Sequence, residues 1–327
     1  MERITPKTRS VSGRGSQSLS IVTPAFRESE NLHLLHERIC DAMNSISMEW
    51  EWIIIDDHSP DDTFSNAAKL VEDDDRLSCY RLSRNCGFHV AMTCGLEKAT
   101  GDCAVVMASD LQDPPEVIVE LIKKWNEDAQ IVWAVRNRRD GASGPTKLFS
   151  RLYYLIMRKF VGIRNMPATG ADFFLLDRTV IEAFLRCDER NTSSLALLSW
   201  LGFRQAFISY NKEGRGHGVS GWTVSKKIKL VLDSVLAFSY RPIRIMSVLG
   251  LAVALMGFAY AAYIVINATT GAPIEGWSSL MVIVLVLGGL QMLMLGVLGE
   301  YVWRGTEEAR QRPRYLIEAV ARPEGKG

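Results

Sequence analysis

The chain has 327 residues, enough for one large domain with an appendage or for two modest domains, and enough to bury a substantial core. Lys and Arg total 38 against 37 Asp and Glu, so a protein that grips nucleic acid through global positive charge is excluded. The six cysteines show no CxxC pair and no zinc-knuckle spacing, and the chain is far too long for a disulfide mini-scaffold; they read as reduced thiols facing the cytosol.

Residues 1–17 are rich in Ser, Gly and Arg with no apolar run of signal-peptide type, and are expected to form a disordered basic tail. From about residue 18 to 225, short β-branched runs alternate with helical patterns: LSIVTPAF, NLHLLHERICDAMNSI, WEWIIIDD, FSNAAKLVEDD, LSCYRLS, FHVAMTCGLEKA and CAVVMASD. This spacing predicts an α/β domain with a mainly parallel sheet and helices on both faces. In such a sheet the ligand site lies outside the carboxyl ends of the strands.

The first run ends in Thr23-Pro24-Ala25-Phe26-Arg27-Glu28, with a helix expected to start near Ser29. Glu28 is then either a ligand contact or a first-turn carboxylate complementing the helix dipole. Asp56 and Asp57 end the next strand, and adjacent carboxylates repel unless something donates to them; a nucleotide base or ribose would, while a solvated turn is the plain alternative. Asp61 or Asp62 is the expected cap of the helix that follows. Arg84 and Gly87, in RNCGFHVA, put a cation and a flexible backbone where a nucleotide can approach, a weak signal by itself.

In VVMASDLQDPPE, Asp113 before Pro114-Pro115 reads as a helix cap. Asp110 and Gln112 then stand at the strand end, either as oxygen ligands for a hard divalent ion that bridges phosphates or as a polar terminus.

Residues 147–160 and 226–238 carry Leu, Ile, Phe and Tyr at helical spacing with Lys and Arg on the other face. They suit helices lying on an anionic membrane surface or, for the first, packing on the domain. The second falls in an expected juxtamembrane helix over 226–243. A transmembrane hairpin is expected over 244–303, because 245–266 and 277–299 are charge-free and long enough to span hydrocarbon. Lys226, Lys227, Lys229, Arg241 and Arg244 precede the first span, Arg304, Arg310, Arg312 and Arg314 follow the second, and the connection has no Lys or Arg. The positive-inside rule places the large N-terminal domain, both termini and a tail over 304–327 in the cytoplasm. Gly288, Gly289 and Gly296 would permit close helix packing.

The ordered series PAFRE, IIDDHSPDDT, RNCGFHVAMTCGL, ASDLQDPPE, ADFFLLDR and GVSGW before two spans resembles the polyprenyl-phosphate glycosyltransferases, relatives of dolichyl-phosphate mannose synthase in family 2. The resemblance runs from about Leu19 to Trp303. It implies a GT-A, Rossmann-like domain that transfers a sugar from a UDP-sugar to a membrane polyprenyl phosphate with inversion, using Mg²⁺ or Mn²⁺. By position, Pro24, Glu28, Asp57 and Arg84 match donor-nucleotide contacts, and Asp110 with Gln112 matches the metal-binding part of a pattern usually written DADLQ. Arg136 and Arg151 match acceptor-phosphate positions, with Arg139 and Lys147 as helpers. Asp172 matches the GDF motif, and Arg215 and Ser220 match the pattern before the membrane helices. Ala108, Arg27 and Phe174 depart from the family pattern, at positions usually held by Asp, Asn and often Arg. The GVSGW and hairpin pattern leans toward glucose as the sugar. A homo-oligomer and no nucleic-acid partner complete the expectation. A processive polysaccharide synthase would carry a QxxRW-type motif and more spans, neither of which is found; a non-catalytic nucleotide-sugar scaffold is the reading that Ala108 would motivate.

Overall fold

A computed structural model describes residues 17–137, 172–187, 193–213, 241–269 and 276–323. The elements run β1 (Ser18–Ala25), α1 (Leu32–Asn44), β2 (Glu49–Asp56), α2 (Thr63–Asp73), β3 (Leu77–Leu82), α3 (Phe88–Lys98), β4 (Cys103–Val106), α4 (Val117–Asn126), β5 (Ile131–Arg136), β6 (Phe174–Asp177), α5 (Arg178–Arg186), α6 (Ser194–Trp200), β7 (Gln205–Tyr210), α7 (Arg241–Thr269), α8 (Trp277–Ala309) and β8 (Ile317–Ala321).

The eight strands among the described residues join one sheet in the order β7-β5-β6-β4-β1-β2-β3-β8. The pairs β1–β2, β1–β4, β2–β3 and β5–β7 are parallel, while β6 runs antiparallel to both β4 and β5, and β8 antiparallel to β3. This is the mainly parallel, Rossmann-like α/β architecture that the resemblance implies, with β6 reversed inside it. The reversal matters for function, because six strands then end at one edge while β6 begins there, bringing Asp172 beside the end of β5.

Burial follows the pattern expected of strands covered on both faces. Trp52, Ile53, Ile54 and Ile55 in β2 and Cys103 to Val106 in β4 are at most 1% exposed. Two apolar layers flank the sheet, one built on Val22, Ile53, Trp133 and Phe174 under α3 and α5, the other on Ile21, Trp52, Val105 and Phe173 under α1, α2 and α4. Phe174, one of the departures from the family pattern, is wholly buried, with its ring 5.2 Å from that of Trp133. Gly95 allows α3 to press on β1, since a Cβ there would stand 2.2 Å from the Val22 side chain.

The helix starts differ from the sequence expectations. α1 begins at Leu32 with Asn31 as its N-cap, so Glu28 lies outside the first turn. α2 is preceded by Asp62, whose side chain makes no capping bond; Asp61 instead accepts from the backbone N–H and the hydroxyl of Thr63, at 3.3 and 2.6 Å. α4 begins at Val117 after Glu116, so Asp113 is not its cap.

α7 and α8 contain segments long and apolar enough to cross a membrane, Ile243–Asn267 and Val282–Ala309, whose most apolar 18-residue stretches have mean hydropathies of 2.2 and 2.4. At 1.5 Å per residue, the 25 residues of the first extend about 37 Å, more than a bilayer's hydrocarbon thickness. Met294 packs against Gly250, whereas Gly288, Gly289 and Gly296 face open space. α8 continues to Ala309, and Ile317–Ala321, within the stretch expected as a tail, forms β8. The hairpin therefore leaves the sheet after β7 and returns to it at β8, where Tyr315 donates to Glu97 and the Ser83 N–H donates to the Leu316 carbonyl at 2.8 Å.

Candidate active site

Three loops at the carboxyl ends of β1, β2 and β4 each contain a non-glycine residue with left-handed backbone: Arg27 (φ 61°), His58 (φ 58°) and Leu111 (φ 57°). Each such residue costs about 1–3 kcal/mol, and the loops are held in place by cross-links. The Ser109 hydroxyl donates to the Pro24 carbonyl at 3.1 Å, joining the β1 and β4 loops. The Arg27 N–H donates to the Ser59 hydroxyl and the Glu28 N–H to the Thr63 hydroxyl, each at 3.0 Å, joining the β1 and β2 loops. Glu28 accepts from the Asn31 side-chain amide at 2.5 Å.

Asp56 and Asp57 both find donors, and for different purposes. Asp56 is wholly buried and accepts from the Ser59 N–H at 3.0 Å and from Arg81 at 3.2 Å, so it braces its own loop. Arg81 also reaches Glu318 of β8 at 3.1 Å, and His58 stands 3.2 Å from that same carboxylate. Asp57 is 4% exposed and accepts the backbone N–H groups of Cys86 and Gly87 at 2.6 and 2.7 Å. Burial pushes the Asp57 carboxyl up, against those two N–H groups, which hold it down. Gly87 precedes α3 with φ 89°, a backbone that L side chains rarely adopt. Arg84 is exposed beside it.

At the end of β4, Asp110 accepts the Gln112 N–H at 3.2 Å, and both residues are partly exposed. The Gln112 carbonyl in turn accepts from the Glu213 N–H at 3.0 Å, which ties this loop to the segment after β7. Arg38 fastens the outside of the junction, contacting Glu116 at 2.9 Å and Glu213 at 3.0 Å.

Behind the loop lies Asp113, which is wholly buried. It accepts from the Tyr210 hydroxyl at 2.5 Å and faces the Lys212 ammonium at 3.4 Å. Burial pushes its carboxyl up, while Lys212, Tyr210 and Arg136 oppose the shift. Burial, then the Asp113 charge, pushes the Tyr210 phenol far above its usual range. Arg136, at the end of β5, approaches Asp172 at 3.7 Å, and its buried Nε has no hydrogen-bond partner among the described residues. His89, in the first turn of α3, is held down by burial, with Asp172 the opposing charge.

The expected residues Pro24, Glu28, Asp57, Gly87, Asp110, Gln112, Arg136 and Asp172 thus all belong to loops or strand ends at the carboxyl edge, with Asp56 braced inward. Arg139, Lys147, Arg151, Arg215 and Ser220 lie outside the described residues. Sequence reasoning missed Asp113, Tyr210 and Lys212. The available signal was an acid three residues beyond Asp110, masked by the two prolines that made it look like a cap.

The site is electrostatically mixed, with partly exposed oxygen donors at Asp110 and Gln112 and cations at Arg136 and Lys212. Such a mixture can hold an anionic group near a carboxylate.

Comparison with known proteins agrees. Residues 20–185 match the family described as Glycosyl transferase family 2, and residues 241–304 match the GtrB C-terminal hairpin. A Synechocystis protein described as an uncharacterized glycosyltransferase is 35% identical over 91% of this chain and 94% of its own. The bactoprenol glucosyl transferase of Shigella phage SfX is 33% identical over 92% of this chain and 99% of its own, and the prophage bactoprenol glucosyl transferase homolog of Escherichia coli is 34% identical over the same shares. The chain belongs to glycosyltransferase family 2, as a glycosyltransferase whose α/β domain is joined to a GtrB-type C-terminal hairpin.

Proposed function

We propose that the protein transfers a hexose, glucose, from a UDP-sugar to polyprenyl phosphate at the cytoplasmic face of the membrane, with inversion at the anomeric carbon. The observation that carries this reading is the likeness, through the hairpin, to bactoprenol glucosyl transferases covering 99% of their length. The hairpin supports it physically: an even number of crossings returns the chain to the side it left, in keeping with β7 and β8 belonging to one sheet. The catalytic edge then stays beside the bilayer from which the acceptor's phosphate emerges.

A polyprenyl phosphate is a monoester with a second pKa near ~6, so its oxygen is already nucleophilic at neutral pH. The task of the protein is to position two anionic substrates. Asp57 orders the turn at Cys86 and Gly87 against which the donor nucleotide would lie, with Pro24, Glu28 and Arg84 around it. Arg136 holds the acceptor phosphate, with Arg139, Lys147, Arg151, Arg215 and Ser220 assigned to the same task. Asp172, paired with Arg136, orients that guanidinium and contacts the sugar.

Asp110 and Gln112 offer one carboxylate and one amide oxygen at a strand end, a set that suits Mg²⁺ or Mn²⁺ sharing phosphate oxygens and water. When bound there, the ion would neutralise charge on the departing diphosphate. Ala108 supplies no ligand, so metal affinity should be weak without donor. Assembly as a homo-oligomer belongs to the same reading.

A donor screen tests it: full-length protein in detergent, polyprenyl phosphate, Mg²⁺ and a panel of radiolabelled nucleotide sugars. Lipid-linked label is expected from UDP-glucose. Label from another sugar alone would overturn the glucose assignment, and label from none would overturn the reading.

A further inference from the structure

A second cluster of ligand-type side chains lies on the other edge of the sheet from Asp110. His36 and Cys40 are four residues apart on α1, hence on one face, and Asp74 precedes β3. His36 Nε2 is 3.0 Å from Asp74 Oδ2 and 3.4 Å from Cys40 Sγ, and the three ligand atoms all lie within 4.8 Å of one another. Tetrahedral Zn²⁺, with bonds near 2.0–2.3 Å, needs ligand atoms about 3.3–3.6 Å apart. One ion therefore fits among them with small side-chain shifts.

The surroundings pre-orient the set. The His36 ring stacks on Trp52 at 5.8 Å with 8° between planes, which fixes where its Nε2 points. Arg76 stacks on Trp50 at 4.0 Å and donates to both Asp74 oxygens, at 2.8 and 2.6 Å. Part of that grip must yield when a metal binds, and the Trp50 face keeps the guanidinium close as a partner for the remaining carboxylate oxygen.

We propose that His36, Cys40 and Asp74 form a binding site for one thiophilic divalent cation, Zn²⁺ in preference to Mg²⁺ or Mn²⁺, separate from the transfer site. A thiolate and an imidazole select borderline-soft ions, whereas the oxygen donors at Asp110 and Gln112 suit hard ones. Loading displaces the Cys40 thiol proton to solvent and shifts the imidazole proton from Nε2, which faces the Asp74 carboxylate at 3.0 Å in the metal-free protein, to Nδ1, so that the Nε2 lone pair binds the metal. The ion would tie α1 to the turn between α2 and β3 and leave a fourth position for water.

The test uses full-length protein in detergent, titrated with Co²⁺ and then Zn²⁺, with no sugar donor or lipid present. One Co²⁺ per chain should bind with a near-ultraviolet thiolate-to-cobalt charge-transfer band that Zn²⁺ abolishes, and saturating Zn²⁺ should raise Tm by about 5 °C. Cys40→Ser and His36→Gln should each lose the band and the Tm rise. Cys86→Ser and Asp110→Ala should keep both, which separates this site from the transfer site. Absence of the band in the native protein, or its survival in Cys40→Ser, would overturn the proposal.

Discussion

The Tyr210 hydroxyl donates to the Asp113 carboxylate at 2.5 Å, joining the end of β7 to the strand-end motif that holds Asp110. The two residues are 97 positions apart, and the bond fixes one wall of the site from inside the protein. Tyr210→Phe leaves Asp113 buried, facing the Lys212 ammonium at 3.4 Å without the phenol's hydrogen bond. A loss of about 1–3 kcal/mol in unfolding free energy is expected, measured by denaturant titration. kcat should fall with it as the Asp110 loop loosens, while Tyr210→Phe with unchanged Tm and kcat would remove the bond from the account.

Asp57 is assigned to shaping the donor turn through two backbone N–H groups. Asp57→Asn keeps one acceptor oxygen and replaces the other by a donor, leaving an N–H of Cys86 or Gly87 unpaired. KM for the nucleotide sugar should rise about tenfold or more, equivalent to about 1.4 kcal/mol, with a smaller effect on KM for the lipid. Equal rises for both substrates would point to general destabilisation.

Arg27 stands in left-handed backbone at a position where the family pattern has Asn, and Asn tolerates that conformation better than a long side chain. Arg27→Asn should therefore raise stability by about 0.5–1 kcal/mol, seen as a higher Tm. A fall in Tm would mean that the exposed Arg27 side chain, whose guanidinium lies 5.4 Å from the Phe26 ring centre, contributes more than its backbone costs.

Hydrogen bonds from Arg76 are the main cause holding the Asp74 carboxyl far below its usual range. A depressed folded-state value means stability that is present above the unfolded aspartate pKa of ~3.9 and lost as pH falls below it. Asp74→Asn should cost about 1–2 kcal/mol at pH 7, allowing for screening at the half-exposed Arg76. The gap to the native protein should narrow as pH drops through that window. A gap independent of pH would assign the loss to packing instead.

The legible parts of this protein were those written in local pattern. WEWIII and CAVVMA announced buried strands, and each was followed by the polar residues that now line the carboxyl edge. The apolar stretches of α7 and α8 were unmistakable for the same reason. Asp113 was misread because a following Pro-Pro is a strong local signal for a cap, whereas its actual partners, Tyr210 and Lys212, are about a hundred residues away. β8 escaped notice because IEAVA is a five-residue strand with an alternating, half-exposed pattern, and its place beside β3 is decided by tertiary pairing after a membrane hairpin. The reversal of β6 was likewise invisible, since direction within a sheet leaves no periodic trace in four residues.

The transfer reaction itself gives the most direct test. Detergent-solubilised native protein and Asp110→Ala are each incubated with radiolabelled UDP-glucose, polyprenyl phosphate and Mg²⁺, and label in the lipid phase is counted. The account predicts metal-dependent transfer by the native protein and a fall of about 100-fold or more in Asp110→Ala at unchanged Tm, a loss of about 2.7 kcal/mol in transition-state stabilisation. Near-native transfer by Asp110→Ala, or no transfer by the native protein from any nucleotide sugar, would contradict it.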